Sequence, residues 1–219
     1  MNIALSTEAY KGEVYYTTDG SNPTISSSNY TGPISIDSSV IIKAVTVLNG
    51  NVMGVKPAEQ AFIMHKAIGR DVVYSNPIST YYLADGPNSL TDGVLGTKTV
   101  NKYWHGISGK DLIATIDLGA EREIKSISLG CLQNYSDWIF LPQEVKFEVS
   151  VDGKNFKEAK VIANNISVYE KSTLKSFKAE LLKQKVRYVR VSAKNGVCPP
   201  NHPGVGKPAW IFVDELVVE

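Results

Sequence analysis

The feature that most constrains this chain is apolar alternation with a period of two. In "EVKFEVSVDGKNF" (residues 144–156), Val145, Phe147, Val149 and Val151 share one face. Lys146, Glu148 and Ser150 share the other, and an Asp152-Gly153 turn follows. Successive side chains of a strand point to opposite faces, so the pattern predicts a strand with one face on a core. "LIATIDLG" repeats it with Leu112, Ala114, Ile116 and Leu118 on one side, and "VRYVRVSA" with Val189, Val191 and Ala193. "GEVYYTTDGSNPT" runs β-formers into Asp19-Gly20 and Asn22-Pro23, and "VIIKAVTVLNGNVMG" breaks at Asn49-Gly50, a strong hairpin signal. No long segment carries a helical period, so the expected fold class is all-β, built as sandwiches or jelly rolls and not as a parallel α/β sheet.

With 219 residues the chain can bury a sizeable core in one or two domains. The first 60 or so residues are rich in Ser, Thr, Gly and Asn turns, enough for a small immunoglobulin-like sandwich; wider loops follow. The boundary is placed at residue 64, giving domains 1–64 and 65–219. A formal net charge of +1 supplies no long-range attraction for nucleic acid or anionic lipid. No apolar stretch is long enough to span a bilayer, so membrane insertion is not expected. The chain opens almost directly into a strand, without the basic-then-apolar start of a signal peptide, and Met1 is expected to be an added start on a piece of a longer protein. Cys131 and Cys198 are too few for a disulfide framework or a zinc site; the reading preferred is two thiols, with one bridge left open for an oxidising compartment.

Bond-breaking chemistry finds no support. Asp111, Asp117, Asp137 and Asp152 are each explained by strand or turn motifs, and the carboxylate pair of a glycosidase is not evident. His65, His105 and His202 lack metal-pair spacing, "ISGKD" is not a phosphate loop, and no serine sits in a G-x-S-x-G elbow. The chain is read as non-enzymatic.

Several motifs, in order, carry a resemblance. "YTTDGSNPT" (16–24), "YTGPI" (30–34) and "IKA" (42–44) resemble the small β-sandwich that follows the catalytic barrel in bacterial chitobiase/β-hexosaminidase enzymes. "LTDG" (90–93), "YWHG" (103–106), "IDLG" (116–119), "LPQEVKFEVSVDG" (141–153), "RYVRV" (187–191) and "AWIFVDEL" (209–216) resemble the factor V/VIII C-type, or discoidin-like, fold, which includes family 32 carbohydrate-binding modules. The tandem resembles the C-terminal region of family 20 glycoside hydrolases. The resemblance implies an immunoglobulin/fibronectin III-like sandwich followed by a discoidin-like, galactose-binding-domain-like jelly roll. It further implies a non-catalytic glycan-binding role, with GlcNAc- or Gal-containing glycans and the parent's catalytic domain as partners, and a periplasmic, cell-surface or secreted parent. The alternative is a structural accessory pair that packs on the catalytic barrel or a second subunit and binds no glycan.

In such modules sugars meet loops at one end of the jelly roll. A pyranose face stacks on an aromatic ring while imidazole or amide groups bond its hydroxyls. Trp104 reads equally as such a platform or as a core plug, and His105 reads as a loop ligand. "LQNYSDWIFLP" (132–142) offers Asn134, Tyr135 and Trp138, since a plain turn needs no tryptophan. "KNGVCPPNHPGVGKPAW" (194–210) offers His202 at its expected tip, and Trp210, which also reads as core because an apolar strand follows it. The arginine of galactose-binding members has no counterpart between Gln133 and Trp138, which leaves the sugar open. The resemblance also implies a structural calcium, with Asp92, Thr97 and Glu215 as its side-chain ligands and backbone carbonyls completing the shell.

Overall fold

The computed structural model describes residues 1–100 and 103–219. The chain divides into two compact units, Met1–Met64 and His65–Glu219.

The first unit contains β1 (Asn2–Ile3), β2 (Glu13–Thr17), β3 (Ser28–Asn29), β4 (Ile34–Ser35), β5 (Val40–Leu48) and β6 (Asn51–Phe62). β1 pairs with β4, and a four-stranded sheet runs β3-β2-β5-β6. The Asn49-Gly50 break closes the β5–β6 hairpin, with φ of 52° and 76° at the two residues, both in the left-handed region that such a turn demands. Val14, Ile42, Val45, Val47 and Phe62 supply buried side chains. The Asp19 carboxylate accepts the Ser21 N–H at 3.0 Å and the Ser21 hydroxyl at 2.6 Å, which sets the turn after β2. Tyr16 and Tyr30 meet edge to face at 6.4 Å, so two of the separated motifs share one contact.

The second unit contains β7 (Val72–Tyr74), a 3-10 turn at Ser89–Thr91, β8 (His105–Ser108), β9 (Leu112–Asn134), a second 3-10 turn at Tyr135–Asp137, β10 (Glu144–Ser150), β11 (Lys157–Ala163), β12 (Ser172–Ala193) and β13 (Trp210–Val218). The hydrogen-bonded order is β11-β10-β12-β9-β13-β8, with β7 also on β9. The two long strands make this a sandwich. Leu112 to Asp117 of β9 pair with Tyr188 to Ala193 of β12, and Ile124 to Asn134 pair with Ser172 to Gln184, with register breaks between. At those breaks the exposed segments 119–123 and 182–185 turn a corner. One half of the pair carries β10 and β7, and the other carries β13.

The predicted inward faces are the core. Leu112, Ala114, Ile116, Leu118, Val145, Phe147, Val149, Val189, Val191 and Ala193 are buried together. Val151 is the exception: it is exposed because β10 ends at Ser150 and the Asp152-Gly153 turn has begun. Burial of aliphatic and aromatic side chains at this density drives the fold, each fully buried large side chain contributing about 1.5–3 kcal/mol.

Both corners lie at one pole, so both free ends of the long strands, with their connections, lie at the other. Segment 194–209 bonds the β8–β9 turn through Asn195, whose N–H donates to Asp111 Oδ1 at 2.8 Å. It reaches segment 134–143 through Trp210 N–H to Trp138 O at 3.0 Å and Phe140 N–H to Trp210 O at 2.9 Å. Two of the loops named from the sequence, 132–142 and 194–210, meet here together with the β8–β9 turn.

Candidate functional site

The "YWHG" residues lie beneath this pole, not on it. Trp104 is 1% exposed and packs with Leu132, Ile139 and Phe212, its Nε1–H donating to Thr97 O at 3.1 Å. The ring presents no face to solvent, so of its two readings the core plug holds and the stacking platform is withdrawn. His105 is also enclosed, and its reading as a loop ligand is corrected. Its Nε2 lies 2.8 Å from Leu83 O and 3.0 Å from Gly86 O, and its Nδ1 lies 3.0 Å from the Tyr74 hydroxyl. Burial lowers the His105 pKa and raises that of the Tyr74 hydroxyl. The imidazole anchors segment 83–86 over the core.

Asn134, Tyr135, Trp138 and His202 form one group. His202 is buried, not at an exposed tip. It lies edge to face with Tyr135 at 4.7 Å, Trp138 at 5.3 Å and Phe140 at 5.4 Å. Gly204 N–H donates to its Nδ1 at 3.0 Å, so its Nε2–H donates to Tyr135 O at 3.0 Å. His202 therefore pins two loops together. Trp138 is half-buried in the left-handed region at φ 64°, with Lys207 Nζ 5.8 Å from its ring centre. Gly204 lies so close that a Cβ there would meet the indole at 2.5 Å. Asn134 faces inward on its own loop, donating to Asp137 Oδ2 at 2.7 Å and accepting from Ser136 Oγ at 2.9 Å.

Trp210 is the tryptophan that lines an open cavity. It shares a cleft of about 360 Å³ with Pro77, Ile78, Ser79, Thr80, Tyr81, Ser108 and Lys110. The indole is half-buried, held at 82° to Tyr82 and 86° to Phe212. β8 and β13 place Ser108 opposite Trp210. The Asn195 amide fixes the walls, donating to Lys110 O at 3.0 Å and Ala209 O at 3.2 Å. The volume lies at the small end of ligand clefts, and the lining mixes an aromatic face with hydroxyls and one ammonium. Sequence reasoning missed the wall "NPISTYY" (76–82), whose polar-plus-aromatic character is the same signal that singled out "LQNYSDWIFLP".

The two carboxylates named for calcium do converge. Glu215 is fully buried, Oε1 2.7 Å from His65 Nε2, and Oε2 accepting Gly93 N–H at 2.9 Å. Asp92 Oδ1 accepts Val94 N–H at 2.7 Å. Asp214, not foreseen, joins them because the β13 register shifts between Val213 and Leu216 and buries both neighbouring acids; its Oδ2 accepts Gly96 N–H at 2.8 Å. Burial raises the pKa of all three, Asp214 to about 6; the Asp92 charge pushes Glu215 and Asp214 up further, whereas a hydrogen bond with Glu215 pulls Asp92 partly back down. His65 offers no compensating charge, since burial lowers its pKa to about 4. Among the described residues no group of three or more His, Cys, Asp or Glu side chains is arranged to hold a metal. Thr97 is exposed, its carbonyl on Trp104. Asp92, Asp214 and Glu215 carry oxygen donors of the kind a hard cation takes, and each already accepts a backbone N–H.

Cys131 lies in the main core, and Cys198 packs with Phe140 and Ala209 under the loops. Burial raises both thiol pKa values.

Residues 73–206 match the family model described as F5/8 type C domain. The chain belongs to the F5/8 type C domain family. Residues 1–56, ahead of the F5/8 type C domain, match the model described as chitobiase/beta-hexosaminidase C-terminal domain. No curated protein matches the sequence. Among solved structures, CpGH89CBM32-6 produced by Clostridium perfringens is 15% identical, with 71% of this chain and 98% of that one covered and a TM-score of 0.44. Chitosan-binding module 1 of a chitosanase/glucanase from Paenibacillus sp. IK-5 is 12% identical, with 71% and 98% covered and a TM-score of 0.45. CpGH89CBM32-4 from Clostridium perfringens, in complex with GlcNAc-α-1,4-galactose, is 16% identical, with 71% and 94% covered and a TM-score of 0.46.

Proposed function

We propose that the F5/8 type C unit binds a saccharide, without cleaving it, in the cleft walled by Trp210. The observation that carries this reading is the half-buried Trp210 indole, which lines a cleft of monosaccharide scale beside the hydroxyl-bearing Ser79, Thr80 and Ser108. A pyranose offers an apolar C–H face to a ring and equatorial hydroxyls to such groups. The lining residues include no carboxylate, so they offer no acid/base pair for glycosidic cleavage. Affinity is expected near millimolar to high micromolar, roughly 4–6 kcal/mol. Tethering at that strength would raise the local concentration of a joined catalytic domain on a glycan surface.

The match of the first unit supports a parent enzyme of the β-N-acetylhexosaminidase type, with residues 1–64 as its spacer; such a parent would work in the periplasm, at the cell surface or as a secreted enzyme. A structural accessory role is favoured for that spacer by one observation: edge strand β6 leaves Val52, Met53 and Val55 exposed, an apolar strip suited to the parent's catalytic domain. The proposed calcium would be held by Asp92, Glu215 and carbonyls of residues 92–97. When bound it would supply charge that neutralises the buried acids and ties the 92–97 loop to β13. Calorimetric titration of GlcNAc- and Gal-containing oligosaccharides into the whole chain tests the binding reading. Heat that saturates for wild type and vanishes for Trp210→Ala supports it, and no heat with any glycan refutes it.

A further inference from the structure

We propose that the cleft selects an anionic saccharide, one carrying a carboxylate or sulfate on its pyranose ring. The proposal rests on the binding reading above and adds the class of ligand. Lys110 is the one charged residue among those that line the cleft. Its neighbour Asp111 does not line it; that carboxylate accepts the Asn195 N–H at 2.8 Å, which engages it on the side of segment 194–209. Among the described residues Lys110 forms no ion pair with an acid.

Its placement is built into the fold. The β8–β9 turn passes through Gly109 at φ +63°, where a Cβ would lie 3.0 Å from Pro208. Gly109 N–H donates to Ala209 O at 3.1 Å, and the Asn195 amide joins Lys110 O to Ala209 O. The lysine backbone is thereby tied to the segment that leads into Trp210. A sugar stacked on the indole would carry a ring substituent toward the ammonium, where a charge-assisted hydrogen bond replaces a neutral one. The other half-buried tryptophan also has a lysine near its ring, Lys207 Nζ lying 5.8 Å from the Trp138 centre, and Trp210 N–H bonds Trp138 O at 3.0 Å. Segment 194–210 contains Lys194 and Lys207 and no acid. Asp137, the nearby acid on the middle loop, is engaged by Asn134.

The test compares matched probes by calorimetry on the whole chain: neutral galacto-oligosaccharide, oligogalacturonate, and 6-sulfated galacto-oligosaccharide of equal length. Wild type is expected to prefer the anionic probes about tenfold at low ionic strength, and to lose most of that preference near 0.5 M salt. Lys110→Gln brings the ratio near one, Lys110→Arg keeps it, and Lys185→Gln, at the opposite pole, leaves it unaltered. Which anionic arm binds better assigns carboxylate or sulfate. Equal or stronger binding of the neutral probe, or a preference that survives Lys110→Gln, overturns the inference while leaving sugar binding intact. Binding of no probe overturns the anionic inference, and adding a GlcNAc oligosaccharide to the panel extends that failure to sugar binding itself if it too gives no heat; anionic binding that survives Trp210→Ala places it outside the cleft and also overturns the proposal.

Discussion

At the scale of single residues, the three tryptophans separate by what encloses them. Trp104 is surrounded by aliphatic and aromatic neighbours, so Trp104→Ala should lose about 3–5 kcal/mol of stability, read by denaturant unfolding of the second unit. Trp210→Ala keeps its backbone pairing with Ser108 and should leave the fold near wild type while removing saccharide binding. His105 gives a pH prediction. Burial holds its folded pKa below 6.5, whereas the unfolded imidazole titrates near 6.5. Its contribution is therefore complete above pH 6.5 and is lost as pH falls toward the depressed folded value. The stability gap between wild type and His105→Gln should narrow from pH 7.5 to pH 5.5 in parallel thermal melts; a constant gap would show an unshifted imidazole.

At the scale of elements, alternation was readable because each strand contacts one core through one face. Leu112 to Leu118 and Val145 to Val149 needed no partner to be named for their faces to be assigned. The site was less legible, for a physical reason: loop side chains have no period, and composition alone does not tell a buried loop aromatic from a presented one. Trp104 and His105 have the look of a binding pair, but segment 83–86 closes over the histidine. Trp210 looked like core because it starts an apolar strand, but the cleft opens against it. Asp214 escaped notice because alternation predicts one outward acid in "DE", and the register shift in β13 turns both inward. His202 was expected at a tip and instead joins two loops. Loop order then depends on small contacts. Asn195→Ala should cost about 1–3 kcal/mol and weaken saccharide affinity, since the amide ties Lys110 to Ala209. Gly204→Ala should displace the Trp138 ring, visible as altered tryptophan fluorescence.

At the scale of the whole molecule, the account divides labour between a spacer and a binding unit. Residues 65–219 have their own core, so that segment expressed alone should fold and keep the saccharide affinity of the whole chain. The buried acids add a second expectation. Calcium at neutral pH should raise the melting temperature of wild type and not of Asp92→Asn with Glu215→Gln, whereas magnesium should substitute poorly, because its smaller, rigid octahedron suits carbonyl-rich loops less well. The central claim is that a half-buried indole at the loop pole holds a sugar. Its most direct measurement is calorimetric titration of the glycan panel into wild type and Trp210→Ala, with folding of both verified by circular dichroism. The account predicts saturable heat for at least one glycan with wild type and none with the variant; equal heats for the two folded proteins, or no heat from either, would contradict it.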